Sequence, residues 1–298
     1  MRRTFTIITA LLLLGGCVSK EPESQEDQAA ATPAPSPSSP APSPSPAPPM
    51  ASATPDTGAT PIPGQSGPAA DLPRDRPLRA GVLVVNGVYN TELAAPFAVL
   101  QHTRFHTQPG MEVFTVSPDG QPVTTFEGLK LTPDYAFANA PAVDILVVPS
   151  TRGSMDADLQ NQALIDWVRK TGSQARTVLS LCDGAFLLAK AGLLQGIPET
   201  TFPDDYGRFS QQFPDVDLRI NVSFVDAGKV ITSQGGARSY EAAMHLVDRL
   251  YGRQVAEGIG KGLLVPWPPD PDTMTARIVE PAGSAAPTAS PTPTPGPL

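Results

Sequence analysis

The chain has 298 residues, including 36 prolines, and a formal net charge of −8. The prolines are uneven, because residues 1–77 contain 16, residues 78–265 contain 10 and residues 266–298 contain 10. The middle part therefore has ordinary proline usage and is long enough for one globular domain, whereas a two-domain enzyme spanning the whole length is excluded. The acidic balance argues against nucleic acid as a partner, since such binding needs a basic face.

The first residues are typical of an export signal that ends in a lipidation site. A pair of arginines precedes an apolar run at residues 5–14, which is too short to span a bilayer. The following Gly15-Gly16-Cys17 resembles the bacterial lipobox, which implies that residues 1–16 are removed and that Cys17 carries lipid. We therefore expect a protein of the cell envelope, lipid-anchored to a membrane and facing the periplasm or the cell exterior.

Two proline-rich segments flank the middle domain. Residues 17–77 are rich in Ala, Pro, Ser and Thr, which gives too little apolar material to offset chain entropy, so we interpret them as a disordered tether. Residues 266–298 have a similar composition and predict a disordered tail. If Cys17 carries lipid, Cys182 has no disulfide partner in the exported chain and is a free thiol.

The middle domain begins with alternating strand and helix patterns. Apolar runs at residues 79–85, 111–116 and 143–148 are of the buried-strand type. Residues 91–104 have the apolar spacing of a helix, with Pro96 in the first turns, where proline is tolerated. This half of the domain therefore predicts strands that are connected through helices.

The second half continues the alternation. Strands are predicted at residues 177–181, 222–225 and 229–232, and helices at residues 156–170, 185–194, 239–251 and 254–264. The turn Asp226-Ala227-Gly228 joins the last two strands as a hairpin. Strands that alternate with helices of ten or more residues indicate parallel βαβ units, so the expected fold class is a layered α/β sandwich.

Cys182 lies where a predicted strand ends and a helix opens. This is the arrangement of a nucleophile elbow, in which a sharp turn lifts one side chain at the C-terminal edge of the sheet, and Gly184 lets the chain pass closely. A thiol there meets the positive end of the new helix, which predicts a lowered pKa and a reactive thiolate. A free cysteine is as often a small apolar core residue, so the turn alone leaves both interpretations open.

Three segments around this turn resemble one family in their order and spacing. They are residues 181–194, Thr200-Thr201-Phe202-Pro203 and residues 230–236, and they are similar to the ThiJ/PfpI superfamily. That group includes parkinsonism-associated deglycase-like proteins and isocyanide hydratases, with a class I glutamine amidotransferase-like fold. The resemblance implies a flavodoxin-like three-layer sandwich with a mostly parallel sheet, frequently dimeric, with the catalytic cysteine at the elbow, here Cys182.

The resemblance also implies an acidic partner for the cysteine. In these proteins an acidic residue four positions before a proline of the first helix hydrogen-bonds the cysteine, and Glu92 stands four positions before Pro96. A protonated carboxyl in an apolar site can donate to a thiolate or carry a proton, so Glu92 is the expected second catalytic residue. A first-turn glutamate also complements the helix dipole, which is the simpler interpretation of the same residue.

Three departures from the family pattern bear on activity. Phe202 stands where the family often has histidine, and the chain's three histidines lie in helical stretches as expected surface or packing residues, so a Cys–His dyad is unsupported. Asp183 stands where protease-like members have histidine, which argues against a peptidase, and its charge opposes a thiolate unless it faces solvent or caps the helix. Thr151 occupies a glycine position of the family's Pro-Gly-Gly loop. The backbone N–H groups of Thr151 and Asp183 are therefore the expected oxyanion donors.

These observations favour one function and leave two alternatives. No metal or other cofactor is expected, because one cysteine and scattered histidines lack ligand spacing and no phosphate-binding glycine loop follows the first strand. The favoured function is a hydrolase or lyase of the hydratase or glyoxalase/deglycase type, acting on small electrophiles through Cys182 and Glu92. The alternatives are a redox sensor in which Cys182 is oxidised and an inactive ligand-binding domain.

Overall fold

Residues 72–73, 75–269 and 276–279 are described by a computed structural model of the chain. The strands are β1 (Arg79–Leu83), β2 (Glu112–Ser117), β3 (Val123–Thr124), β4 (Lys130–Leu131), β5 (Tyr135–Ala136), β6 (Ile145–Val148), β7 (Thr177–Leu181), β8 (Pro198–Glu199), β9 (Asp217–Leu218), β10 (Val222–Asp226), β11 (Val230–Ser233) and β12 (Ala276–Val279). The helices are α1 (Asn90–His102), α2 (Ala157–Gln160), α3 (Gln162–Gln174), α4 (Gly184–Lys190), α5 (Tyr206–Gln212), α6 (Arg238–Tyr251) and α7 (Arg253–Leu263).

The apolar runs of the sequence form one central sheet. Its eight strands lie in the order β12-β10-β11-β7-β6-β1-β2-β5, and every neighbouring pair is parallel except β10 and β11. These two form the predicted antiparallel hairpin, in which Val225 pairs with Thr232. Strands β6 and β7 are buried along their whole length, as expected for parallel strands with both faces covered.

Helices cover both faces of this sheet. On one face, Leu100 of α1, Leu246 of α6 and Ile259 of α7 belong to the same buried cluster as Leu181 of β7. On the other face, a second cluster joins helices α3, α4 and α5 to the alternate residues of the strands. The predicted three-layer, flavodoxin-like α/β sandwich with a mostly parallel sheet is therefore confirmed.

Two predicted helices differ from the structure, each for a local reason. The helix expected over residues 156–170 is divided into α2 and α3 at Asn161, whose side-chain oxygen accepts a hydrogen bond from Leu164 N at 3.2 Å and caps α3. The helix expected over residues 185–194 ends at Lys190, because Gly192 has a φ of +76° that turns the chain.

The structure extends beyond the expected domain end at residue 265. Trp267 is buried in the core and donates from Nε1 to Asp248 Oδ2 at 2.8 Å. Strand β12 then adds to the sheet edge, parallel to β10. The expected signal, Cys17 and most of the tether lie outside the described residues. Among the residues described, no helix is long and apolar enough to cross a membrane.

Candidate functional site

Cys182 occupies a strained turn between β7 and α4. Its φ is +54°, a left-handed conformation that a non-glycine residue adopts at a cost and that is frequent at functional sites. Its backbone N–H donates to Ser233 O at 2.9 Å, which fixes the turn against β11. A Cβ at Gly184 would lie 2.1 Å from Val148 O, so only glycine permits this close approach. The predicted nucleophile elbow is therefore present.

The loop after β11 connects Cys182 with Glu92. Gly235 has a φ of +82°, and a Cβ there would lie 2.3 Å from Cys182 Cβ. The next backbone N–H, of Gly236, donates to Glu92 Oε1 at 2.8 Å, and the Glu92 side chain is buried in α1. The structure thus brings both predicted catalytic residues to one place, with the diglycine loop between them.

The Asp183 carboxylate faces the thiol. Cys182 Sγ donates to Asp183 Oδ2 at 3.7 Å, and the Asp183 side chain is 6% exposed. The Thr201 hydroxyl lies 3.2 Å from Asp183 Oδ1 and 3.1 Å from Cys182 O, so it holds this carboxylate at the turn. Asp183 makes no side-chain cap for α4. The Asp183 side chain therefore neither faces solvent nor caps the helix, so its charge acts on the thiol.

The pKa of the Cys182 thiol is raised, not lowered. Burial is the main cause, and the negative charges of Asp183 and Glu92 raise the pKa further. The Ser150 hydroxyl and the Asp183 backbone N–H stabilise the thiolate but do not outweigh these effects. The prediction of a lowered pKa is therefore wrong. The positive end of the seven-residue helix α4 stabilises the thiolate less than burial and the two carboxylates destabilise it. The thiol rests in its neutral form.

A second carboxyl group extends the site from Asp183 towards solvent. Asp205 ends the turn Pro203–Asp205 and is half-buried, and its charge acts on Asp183. Burial and the charge of Asp205 raise the pKa of Asp183 to about 7, although the hydrogen bond from Thr201 opposes the shift. Burial also raises the pKa of Asp205, against the opposing charge of Arg208. The carboxyl group beside the thiol, that of Asp183, therefore titrates near neutral pH.

Thr151 does not contribute its N–H to the thiol. That N–H donates to Ser154 Oγ at 2.8 Å, and the Thr151 hydroxyl donates to Asp158. The neighbouring Ser150 does face the site: its Oγ is buried, has no hydrogen bond to another described residue, and acts on the thiolate. Of the two predicted oxyanion donors, the Asp183 N–H lies at the thiol and the Thr151 N–H is engaged within its own loop.

An open cleft lies at the same edge of the sheet. It has a volume of about 530 Å³ and is lined by Gly87, Phe126, Arg152 and Asp156, among others. Cys182 is not part of its lining. The half-buried Tyr89 packs against Phe126 of this cleft, with ring centroids 4.5 Å apart and the rings tilted by 34°. Burial raises the Tyr89 pKa, and so do the charges of the Cys182 and Asp183 groups.

The remaining candidates lie away from the thiol or have no ligand set. Phe202, at the position where the family often has histidine, is 37% exposed. His245 pairs with Asp226 at 2.7 Å, at the end of β10 that lies at the opposite edge of the sheet from Cys182. Within the described ranges, no group of three His, Cys, Asp or Glu side chains is placed to hold a metal ion.

Comparisons with known proteins agree with this fold. A family model described as the DJ-1/PfpI family matches residues 78–249. The chain is 30% identical over 215 residues to an isonitrile hydratase of Pseudomonas putida, covering 70% of this chain and 90% of that protein. It is 29% identical over 147 residues to an HTH-type transcriptional regulator of Pseudomonas aeruginosa, of which it covers 39%.

Solved structures show the same fold. Drosophila melanogaster DJ-1beta has a TM-score of 0.57 at 23% identity, with 64% of this chain and all of that chain covered. A ThiJ/PfpI family protein of Pseudomonas syringae has a TM-score of 0.56 at 22% identity, with 74% and 85% covered. The expected superfamily is thus confirmed, and the chain belongs to the DJ-1/PfpI family.

Proposed function

We propose that this protein is a cysteine-dependent hydratase of small electrophiles, with isonitriles as the substrate class and Cys182 as the nucleophile. One observation carries the proposal: a thiol on a strained elbow donates a hydrogen bond to a buried carboxylate, Asp183. The similarity to an isonitrile hydratase over most of that protein's length supports the substrate class. The open cleft beside Tyr89 is the proposed approach for the substrate.

The reaction balances without a cofactor. The sulfur of Cys182 bonds to the isonitrile carbon, and the thiol proton ends on that same carbon, which gives a thioimidate. Water then adds across the carbon–nitrogen double bond, with its hydroxyl on carbon and its proton on nitrogen. Finally the carbon–sulfur bond breaks, the hydroxyl proton returns to sulfur, and an N-substituted formamide leaves.

A neutral thiol suits this chemistry better than it suits peroxide sensing. The isonitrile carbon accepts a nucleophile and a proton at one atom, and a thiol hydrogen-bonded to a carboxylate supplies both. Oxidation to sulfenic acid follows thiolate character and exposure, but the pKa of Cys182 is raised and its side chain is 7% exposed. Glu92 serves here as a positioning residue, because its charge opposes the thiolate and its carboxylate holds the diglycine loop.

The experiment is turnover of a simple alkyl isonitrile, with the formamide product followed by proton NMR. We expect turnover by the wild type and none by Cys182→Ser, with circular dichroism as the control for folding. Methylglyoxal is assayed in parallel, and turnover of methylglyoxal alone assigns the glyoxalase/deglycase type instead. No turnover of either compound by the wild type contradicts the enzymatic proposal.

A second candidate is a ligand-binding domain without activity. It is favoured by one observation, the absence of Cys182 from the lining of the 530 Å³ cleft. Calorimetric titration of an isonitrile into Cys182→Ala separates the two candidates. If the isonitrile binds to Cys182→Ala and the wild type shows no turnover, the ligand-binding domain is supported.

We also propose that the chain is a lipoprotein of the cell envelope, anchored through Cys17. The support is the residue pattern of the first seventeen positions, since Cys17 lies outside the described residues. The test is incorporation of labelled palmitate by the full chain in a bacterial host. We expect labelling of the wild type and its loss in Cys17→Ser, and equal labelling of the two contradicts the anchor. A homodimer stays a prediction from the family, tested by light scattering.

A further inference from the structure

We propose that the Ser150 hydroxyl is a further catalytic group of the Cys182 site, which relays a proton from water to the nitrogen of the bound substrate. Ser150 stands at the first glycine of the family's Pro-Gly-Gly loop, so this hydroxyl is a departure of the present chain from the family pattern. Its role rests on the proposed function for its chemistry. The placement of the hydroxyl and one of its two tests do not depend on that function.

The pairing of β6 with β7 places Ser150 at the same level of the sheet as Cys182. The two strands are parallel, and Val148 pairs with Ser180 at their C-terminal ends. Ser150 and Cys182 each follow two residues later in their own strand. Because side chains alternate between the faces of a sheet, this register sets the two residues side by side at its C-terminal edge.

Contacts on two sides hold the Ser150 backbone against the elbow. A Cβ at Gly184, the first residue of α4, would lie 2.1 Å from Val148 O and 3.3 Å from the carbonyl carbon of Pro149. That carbon is bonded to the Ser150 nitrogen, so Ser150 directly follows a close backbone contact of the elbow. On another side, Tyr89 N donates to Ser150 O at 3.1 Å. The Ser150 side chain therefore starts from a fixed backbone next to Cys182.

The Ser150 hydroxyl is buried without a partner in the described part of the chain. The residue is fully buried, and its Oγ makes no hydrogen bond to another described residue. A buried hydroxyl that lacks a partner costs free energy, and most such groups in proteins are therefore paired. The next residue is an example, because the Thr151 hydroxyl donates to Asp158. Ser150 thus retains both a donor and an acceptor for a group that binds at the sulfur.

The hydroxyl is close enough to act on the sulfur once charge develops there. Burial and the charges of Asp183 and Glu92 raise the pKa of the Cys182 thiol, and the Ser150 hydroxyl opposes them by favouring the thiolate. In the thioimidate, the nitrogen is bonded to the same carbon as the sulfur. An O–H group that acts on the sulfur is therefore next to the substituents of that carbon, the nitrogen among them.

The relay belongs to the second half of the proposed reaction. Water adds its hydroxyl group to the thioimidate carbon, and the proton that it loses passes to Ser150 Oγ. The Ser150 proton moves at the same time to the nitrogen, so the carbon–nitrogen double bond becomes single and the serine hydroxyl is restored. A hydroxyl can accept and donate in one step without a change of charge, which suits a site whose carboxylates already oppose negative charge.

The first test compares Ser150→Ala with Ser180→Ala during turnover of an alkyl isonitrile. Ser180 is the matched control, because its Oγ is also buried and unpartnered among the described residues but lies inside β7. We expect Ser150→Ala to lower kcat by about 10²-fold and to lower KM with it, because the covalent intermediate accumulates. Mass spectrometry should then detect one isonitrile on Cys182. A kcat equal to that of Ser180→Ala, without this adduct, overturns the relay.

The second test needs no isonitrile turnover. Alkylation of Cys182 by iodoacetamide at mildly alkaline pH is expected to be slower in Ser150→Ala than in Ser180→Ala, because a group that favours the thiolate is lost. Equal rates overturn the placement of the hydroxyl at the sulfur. If Ser150→Ala does not fold by circular dichroism, Ser150→Gly replaces it, since glycine is the residue of the family pattern, and the same losses are expected.

The two tests separate this role from the proposed function. Slower alkylation in a protein that converts no isonitrile contradicts the hydratase and the relay together, but it supports the hydroxyl at the sulfur. Isonitrile turnover that is unchanged in Ser150→Ala supports the hydratase and overturns the relay. Slower alkylation together with the loss of kcat and the trapped adduct supports all three.

Discussion

Glu199 is expected to make the fold less stable as the pH rises. Its side chain is fully buried beside β9, and neither carboxyl oxygen has a hydrogen-bond partner among the described residues. Burial and the charge of Asp217 raise the pKa of Glu199 from 4.5 to about 8. The folded state therefore retains a proton on this carboxyl group that the unfolded chain has already released.

The sign and magnitude follow from this difference. Above the unfolded pKa of 4.5 the folded chain binds more protons than the unfolded chain, so stability falls as the pH rises, until it levels off above about 8. Between about pH 5.5 and about pH 8.5 the loss is on the order of 3 kcal/mol. Glu199→Gln keeps the shape of the side chain and has no proton to lose, so its stability lacks this contribution.

The assay is urea unfolding at both pH values, followed by circular dichroism. We expect the free energy of unfolding of the wild type to fall by about 3 kcal/mol more than that of Glu199→Gln. Glu257→Gln, a half-buried glutamate on α7, controls for the substitution itself and keeps the wild-type slope. Equal pH dependence in wild type and Glu199→Gln would refute the assignment of a buried neutral carboxyl group.

Three further predictions concern the elbow, the thiol and the His–Asp pair. Gly235→Ala places a Cβ against Cys182 at a φ of +82° and is expected to lower the free energy of unfolding in urea by roughly 2–4 kcal/mol. A loss below about 1 kcal/mol would contradict this steric explanation. Glu92→Gln removes a negative charge that raises the Cys182 pKa, so alkylation at fixed pH becomes faster, and a slower rate contradicts the stated direction. Burial tends to raise the pKa of Asp226, but His245 and Arg249 lower it overall, so its stabilisation is present above the ordinary Asp pKa and lost as the pH falls. Asp226→Asn should cost about 3–5 kcal/mol at neutral pH and flatten the acid limb of stability, and an unchanged limb contradicts this assignment.

The fold was predictable wherever burial imposes a long pattern. A parallel sheet is covered by helices on both faces, so its strands are apolar runs and its helices are amphipathic. The run at residues 145–148 and the pattern of α6 are therefore recognisable in the sequence. Two-residue strands such as β8 and β9 carry no such periodicity and were not predicted. The division at Asn161 depends on which way one side chain turns to cap a helix. The strand β12 follows a proline-rich segment and pairs with β10, which is distant in sequence, so local composition does not reveal it.

The site was predictable in its position more than in its electrostatics. The strand-to-helix turn and Gly184 place Cys182, and the spacing to Pro96 selects Glu92. The direction of the thiol pKa was missed, because a sequence does not show that the Asp183 carboxylate turns inward. Asp205 was missed as well, because its charge acts on Asp183 from the turn after Phe202 and it has no motif of its own.

The proposed mechanism depends most directly on the resting state of the Cys182 thiol. The measurement is a pH titration of thiolate ultraviolet absorbance in the full chain, with the spectrum of Cys182→Ser subtracted so that only this thiol is observed. Because burial and the charges of Asp183 and Glu92 raise the thiol pKa, we expect the titration midpoint to lie above the ordinary thiol value of about 8.5. A thiolate that forms with a midpoint below this value would contradict the neutral, carboxylate-assisted nucleophile.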